Sequence, residues 1–293
     1  MIIRPETLND LPAISQLHAR AFEHRAAEAA IVLLHHQYRA FDPELSLVAE
    51  VDGQIIGHAL FNPQIIRLLG QDVRAVNLAP IAIDPHYQGK RIGSTLMHEG
   101  HRLAKYKGYA LSFLLGHPTY YTRFGYQTHA FGSSTLTYLP QPASLPLKMR
   151  APVEADIPAL FKLWRQEEGE IDFAIQPGPS MLDWVSLTAP AQVYLLEDEI
   201  IGYTRGTPDN LRVFLAHDTR SAQAVASAFS SKPLTLPLHP YSGSSLGTPQ
   251  VTPWEAGMAL SLTDNPFDDY MAQVKRGQRV VGRPLWPVAF EVE

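Results

Sequence analysis

The sequence predicts a mixed α/β chain built twice on one plan, and three observations carry that expectation. An internal repeat relates the two halves, a strand–helix–strand unit stands in the first half, and a proline-rich stretch separates the copies. Ile3-Arg4 followed by Asn9-Asp10-Leu11-Pro12-Ala13-Ile14 recurs as Met149-Arg150 followed by Ala155-Asp156-Ile157-Pro158-Ala159-Leu160, at a constant offset. Each fragment reads as a short strand, a polar turn and a helix, with the Asp as helix cap and the Pro in the first turn, where a missing N–H costs nothing. Apolar residues then recur at helical spacing: Leu11, Ile14, Leu17 and Ala21 in one copy, Ile157, Leu160, Phe161 and Trp164 in the other. The match resumes where Glu50 to Gly57 has the counterpart Leu196 to Gly202, each a strand, a tight acidic turn and a second strand.

Between the copies, Pro140-Gln141-Pro142-Ala143-Ser144-Leu145-Pro146 resists regular structure and suits a linker. The expected division is therefore residues 1–140 and 147–293. In the first part, Val76 to Ile83 reads as a strand whose Pro80 marks an edge or a bulge. Ile92 to Tyr106 reads as a helix closed by Gly108, and Tyr109 to Leu115 as the strand that completes a right-handed crossover.

Composition narrows the function. The chain has 293 residues, 45% of them hydrophobic and 18% charged, with a net charge of −5. There is no Lys/Arg run to grip a phosphate backbone, which argues against a nucleic-acid partner. Cysteine is absent, so disulfides, thiolate metal sites and a cysteinyl acyl-enzyme are excluded. The N-terminus lacks a secretory profile and no apolar run approaches the ~20 residues of a membrane span. A cytoplasmic protein with no membrane association is the expectation.

Asp84-Pro85-His86-Tyr87-Gln88-Gly89-Lys90-Arg91-Ile92-Gly93-Ser94 joins the strand to the helix. Small residues there let successive backbone N–H groups converge, and a helix N-terminus adds partial positive charge, so the segment is an anion cradle suited to a pyrophosphate. It is neither a Walker A loop nor a dinucleotide-binding G-x-G-x-x-G.

Gln88 to Gly93 resembles the Q/R-x-x-G-x-G/A pyrophosphate loop of GNAT acyltransferases, with Arg91 where that family usually has glycine. Leu78 to Pro85 resembles the family's fourth strand. Leu115-Gly116-His117-Pro118-Thr119-Tyr120-Tyr121-Thr122-Arg123-Phe124-Gly125-Tyr126 resembles the end of its fifth strand with the Y-x-x-x-G-F/Y signature. The resemblance covers roughly residues 3–138 and is closest to the YhbS-like branch.

The resemblance implies a GNAT fold with a mixed, splayed central sheet, duplicated in tandem, and an acyl-CoA-dependent N-acyltransferase without a metal. Acetyl-CoA, or another acyl-CoA, would serve as co-substrate. Pantetheine would pair with Ile81-Ala82-Ile83 while the pyrophosphate rests on Gln88, Gly89, Lys90, Arg91, Ile92, Gly93 and Ser94. An amine would then attack the thioester directly in a ternary complex. A backbone N–H at Ile81 or Ile83 would polarise the carbonyl, and Tyr121 matches the family tyrosine that protonates the departing sulfur. His117 would face the cleft, and Glu23, His24 and Glu28 follow the first helix in the region of the acceptor wall.

Plainer readings stand beside these. Tyr121 packs beneath Phe124 and Tyr126; His117 is a hydrogen-bonded structural histidine; Lys90 and Arg91 form a solvated turn; His35-His36 is a surface pair, because adjacent helix residues point apart. A non-catalytic acyl-CoA sensor is the alternative function, separable by incubation with labelled acetyl-CoA and an amine library. The second half, where His217-Asp218-Thr219-Arg220 enters a helix without glycine, carries no readable cradle and is expected to be a degenerate GNAT-like domain. The acceptor is a small-molecule or peptide amine on this reading, and association into a homodimer is left open.

Overall fold

The computed structural model describes residues 1–23, 26–142 and 145–291. The first half runs β1 (Ile2–Pro5), α1 (Leu11–Ala21), α2 (Ala27–His35), β2 (Ser46–Val51), β3 (Gln54–Leu68), β4 (Gln71–Ile83), α3 (Ile92–Tyr106), β5 (Leu111–Leu115), the short α4 (Pro118–Tyr121) and β6 (Gly132–Tyr138). The second runs β7 (Leu147–Arg150), α5 (Ile157–Glu168), β8 (Ala174–Ile175), β9 (Ala191–Leu196), β10 (Glu199–Thr207), β11 (Asn210–Ala216), α6 (Thr219–Phe229), β12 (Leu234–Leu236), β13 (Gln250–Pro253), β14 (Gly257–Ser261) and α7 (Phe267–Lys275). Among the described residues no helix is long and apolar enough to cross a membrane.

The repeat read in the sequence is a repeat of structure, and its chemistry is the same in both copies. Arg4 pairs with Asp10 at 2.7 Å and Arg150 with Asp156 at 2.6 Å. The two aspartates do not cap the α-helices as expected. Asp10 accepts from the amide of Thr7 at 2.7 Å, and Asp156 from that of Val153 at 2.8 Å. Each carboxylate therefore closes the 3-10 turn that precedes its helix, Leu8–Asp10 or Glu154–Asp156, and locks that turn to the incoming strand through the arginine. The proline still occupies the first helical turn in both.

Three sheets result. The largest has the order β1-β2-β3-β4-β5-β14, with β8 added to β3; a second has β11-β10-β9-β7; a third has β12-β6-β13. Strands are thus exchanged across the proline-rich stretch. β14 of the second half lies antiparallel beside β5, and β6 of the first half pairs with β12 and β13.

Helix α3 covers one face of the large sheet. Its Ile92, Leu96, Met97 and Ala104 join Ala59, Phe61, Val76 and Leu78 in one core, each large side chain stabilising the fold by about 1.5–3 kcal/mol. Gly100 permits this approach, since a Cβ there would overlap the Phe61 ring. The opposite face carries α1 and α2 over Val48, Leu60 and Ala82, and α7 over Leu111 and Phe113.

Candidate active site

The site begins where β4 and β5 part. They pair in parallel at only three positions, Ala75–Leu111, Val76–Ser112 and Asn77–Phe113. Just beyond, the β3–β4 register shifts between Ala59–Ile81 and Phe61–Leu78, so Ala79 and Pro80 form the bulge expected at Pro80. β4 bends away and a cleft opens between it and the end of β5. The Asp84 amide donates to Ile56 O at 2.9 Å. Alternation along the ladder then makes Ala82–His58 a bonded pair and turns the backbone of Ile81 and Ile83 to the open edge. Ala82, grouped with its neighbours in the sequence reading, differs from them: its backbone faces β3 and its side chain the core under α1.

At the far end of this edge the loop turns into α3. Asp84 is almost fully buried; one carboxylate oxygen accepts from the His86 amide at 3.1 Å, and the other from Arg20 at 3.0 Å. Gln88 Nε2 reaches back to Ile83 O at 3.3 Å. Gly89 has a φ of 76° and Arg91 a φ of 62°, both in the left-handed region that favours glycine. Thr95 N donates to Arg91 O at 3.0 Å, so the amides of Ile92, Gly93 and Ser94 have no partner within the helix. Those donors, with the positive end of α3, could hold an anion. The Ile92 side chain is buried in the core and contributes its amide alone. Lys90 is turned onto its own loop, donating to His86 O at 3.1 Å with its ammonium 4.6 Å from the centre of the Tyr87 ring. The Arg91 guanidinium has no ion-pair partner among the described residues.

The other wall is the end of β5 with α4. The Tyr121 ring lies on Gly116, where a Cβ would overlap it, and meets the Tyr126 ring edge-on at 6.0 Å. Burial, and then the neighbouring Tyr120, push the Tyr121 phenol up to about 12. Tyr120, which the sequence reading passed over, spans the cleft. A Cβ on Gly93 would lie 2.7 Å from its hydroxyl. His117 is exposed at the N-cap of α4 and its side chain makes no hydrogen bond among the described residues, so the structural-histidine reading is not met.

Two buried features were missed as well. Asn62 and Asn77 face each other across β3 and β4, one pair removed from the bulge, next to Phe61–Leu78. Asn62 donates to Ala79 O at 2.7 Å, leaving its own Oδ1 and both polar atoms of Asn77 without partners. Isolated asparagines in strands carry no sequence signal of this kind. Beneath α1 lies a chain of buried polar groups: His18 to His58 at 2.8 Å, His58 to Ser46 at 2.9 Å, and Ser46 to Glu6 at 2.5 Å, with His36 on the second Glu6 oxygen.

That chain corrects the surface reading of His35-His36. The pair does point apart, but His36 is bound to Glu6 and to Val32 O, and His35 is only 4% exposed. Of the residues expected at the acceptor wall, Glu28 is buried with one carboxylate oxygen unpartnered, Glu23 lies in the turn after α1 with a φ of 54°, and His24 lies outside the described residues. No group of three His, Asp or Glu side chains among the described residues is arranged to hold a metal.

In the second half, the junction corresponding to the cradle is blocked chemically. Asp218 caps α6, accepting from the Ser221 amide at 2.7 Å, so a carboxylate occupies the helix N-terminus where an anion would bind.

Comparison with known proteins agrees with this geometry. The family model described as the acetyltransferase (GNAT) domain matches residues 2–129. The uncharacterised N-acetyltransferase YhbS of Escherichia coli is 37% identical over 131 residues, covering 44% of this chain and 75% of that protein. Among solved structures, a GCN5-related N-acetyltransferase from Kribbella flavida matches 89% of this chain and 72% of its own, with a TM-score of 0.71 at 18% identity. One from Anabaena variabilis matches 89% and 73%, with a TM-score of 0.66 at 15% identity. The last two speak to the fold, and they extend it over both halves. With three quarters of a relative matched at 37% identity, the chain belongs to the GNAT N-acetyltransferase family.

Proposed function

We propose that the protein transfers the acetyl group of acetyl-CoA to a primary amine, by direct attack in a ternary complex within the β4–β5 cleft. The observation that carries this reading is a strip of backbone outside the β3–β4 ladder: the edge at Ile81 and Ile83, where Ile83 O is taken up by Gln88 Nε2, followed by the free amides of Ile92 to Ser94. An amide-rich chain ending in a diphosphate matches that strip along its length. Gln88, Gly89 and the Arg91 guanidinium would flank the diphosphate, and Tyr120 would move off Gly93 to admit it.

In the reaction the amine lone pair forms the new C–N bond, the C–S bond breaks, and the amine loses a proton. The Ile81 amide is placed to donate to the carbonyl oxygen as negative charge develops there. Tyr121, at about 12, keeps its proton throughout the neutral range. Full transfer to a thiolate of ordinary pKa ~8.5 would cost about 5 kcal/mol, so Tyr121 acts by hydrogen-bonding the sulfur as it leaves, and solvent completes its protonation. His117, exposed at the end of β5, is the proposed acceptor of the amine proton and can pass it to water.

Calorimetric titration with acetyl-CoA and a thiol-release assay with a panel of amines test the reading. Saturable binding, and CoA release that depends on amine, are expected. Gly93→Glu, which brings a carboxylate to the cradle, should abolish binding. Binding without amine-dependent release would refute transferase activity, and binding retained in the Gly93→Glu variant would refute the cradle.

A further inference from the structure

Beside the middle of β3, beyond Leu60 where its pairing with β2 ends, lies a cavity of about 810 Å³ that none of the expected site residues line. Its walls come from both halves of the chain: α2 and the segment after it, the middle of β3, Arg74 on β4, the start of α5, and the stretch 176–183. We infer that this cavity is the acceptor pocket, and that it takes a bulky aromatic primary amine bearing further N–H or O–H donors. The inference rests on the transferase reading above and adds to it the class of amine.

Position supplies the first argument. Asn62 is part of the cavity wall and also donates to Ala79 O in the bulge, where β4 leaves β5. Its Oδ1 is 98% shielded with its residue and has no partner, and the Asn77 amide opposite is equally unsatisfied. Buried polar atoms left unpaired cost roughly 1–3 kcal/mol each. With a turn of the Asn62 side chain toward the cavity, a neutral amine donating to Oδ1 would repay that cost and stand next to the strand edge proposed to hold the acyl carbon.

The wall chemistry supplies the second. Tyr38, Phe41, Tyr109 and Phe161 offer ring faces and edges, the surface that aromatic ligands prefer. Two of the lining side chains also hold buried acceptors without a partner, Gln176 Oε1 and His35 Nε2. Burial, followed by the charge of His36, holds the His35 imidazole neutral, down to about 3, so its ring nitrogen can accept a hydrogen bond. One charge of each sign, Arg74 and Asp183, lines the cavity, which favours neither a polycation nor a polyanion. Arg74 is already stacked 4.5 Å from the Tyr109 ring centre and bonded to Lys107 O. The volume falls within the ~300–1,000 Å³ typical of small-molecule sites. A protein lysine would leave most of this space filled with water against apolar rings.

Rates of acetyl transfer to 4-phenylbenzylamine, tryptamine, ethylamine and a lysine-containing peptide test the inference, alongside calorimetric binding of 4-phenylbenzylamine. The aromatic amines should have the highest kcat/KM. Phe161→Trp, which fills the cavity from the second half, should lower the ratio of kcat/KM for 4-phenylbenzylamine over ethylamine by about tenfold or more. Phe161→Ala, which removes the ring, should lower the same ratio. An unchanged ratio in both variants overturns the pocket while leaving the transferase reading intact, and a peptide acetylated better than the aromatic amines overturns the substrate class. Binding of 4-phenylbenzylamine with no acetyl transfer to any amine overturns the transferase reading, and the acceptor assignment falls with it.

Discussion

Replacing Arg91 by glycine should make the protein more stable and its grip on acetyl-CoA weaker, two effects that most single substitutions do not combine. Arg91 holds a φ of 62° and a ψ of 12° at the N-cap of α3, a conformation costing a residue with a Cβ roughly 1–2 kcal/mol. Glycine removes that cost and gives part of it back through the freedom it adds to the unfolded chain, for a net gain of about 1 kcal/mol. For a chain of this length the gain corresponds to about 2 °C in Tm.

The guanidinium stands exposed at the mouth of the cradle, next to the free amides of α3. A charged hydrogen bond to a phosphate is worth about 1.5–3 kcal/mol before screening, so its loss should raise the Kd for acetyl-CoA about tenfold. Because the contact is exposed, the gap from wild type should narrow as salt is raised. Arg91→Ala is the necessary partner: it removes the charge and keeps the strained backbone. Both variants should bind equally weakly, and only the glycine should melt later, by scanning calorimetry and isothermal titration. A glycine variant melting no higher than the alanine would refute the strain argument. Equal Kd values for all three proteins would refute contact between Arg91 and the phosphates.

Tyr121→Phe should lower kcat about 10²-fold with little change in the Kd for acetyl-CoA, by the size of effect general acids have; an unaltered rate assigns the ring to packing alone. Gly116→Ala should reproduce much of that loss by displacing the Tyr121 ring, and its hydroxyl with it, measured as kcat beside an unchanged Kd. Stability should fall at both ends of the pH range through Glu6 and His36. Burial pushes the Glu6 carboxyl up, but hydrogen bonds from His36, His58 and Ser46 outweigh it and hold the group at about 2. The stabilisation, up to about 3 kcal/mol, is therefore complete above the ordinary value near 4.5 and is lost as the pH falls toward 2. His36 is raised, with its burial outweighed by the bond to Glu6, so its contribution is complete below the ordinary histidine range and is lost as the pH rises through that higher value. Denaturant melts from pH 2 to 9 should show both limbs, and Glu6→Gln should flatten them; an identical profile in the variant would remove the pair from the account.

The strand, loop and helix of the candidate site were legible because they are contiguous in the chain. A strand, a glycine-bearing loop and an amphipathic helix follow one another from Val76 to Tyr106, and helix α3 has the bounds its spacing predicts. Loop chemistry that depends on backbone amides needs only small residues and a helix start, both visible in a sequence. The proposed acceptor side was not legible because its groups are brought together by pairing over long separations. Asn62 and Asn77 meet through a hairpin register, and His35 meets Gln176 and Phe161 through the packing of two halves. Tyr120 was hidden by its neighbour, since the Y-x-x-x-G pattern selects Tyr121 and says nothing of which hydroxyl reaches Gly93. His35-His36 misled for a related reason. Opposite directions on a short helix suggest one exposed partner, yet α2 lies between a cavity and a buried carboxylate, so both directions lead inward.

The exchange of strands also decides what a fragment can do. Residues 1–140 contain every group of the proposed transfer chemistry and the whole matched family segment, so their sequence alone suggests an autonomous enzyme. The packing argues otherwise. β5 is held between β4 and β14, and the core beneath it combines Ile66, Leu68, Phe113 and Phe131 with Phe173, Phe267 and Tyr270 from the second half. All seven are fully buried, and Tyr270 also donates to Ala130 O at 2.8 Å. Removing the second half would expose the first four, at about 1.5–3 kcal/mol each, and the total approaches the ~5–15 kcal/mol that a domain has available. The fragment 1–140 should therefore aggregate or lack a cooperative melt, and adding residues 147–293 in trans during refolding should restore acetyl-CoA binding. A fragment that melts cooperatively and binds acetyl-CoA alone would show that β5 needs no partner from the second half, and the second half would then serve only the acceptor.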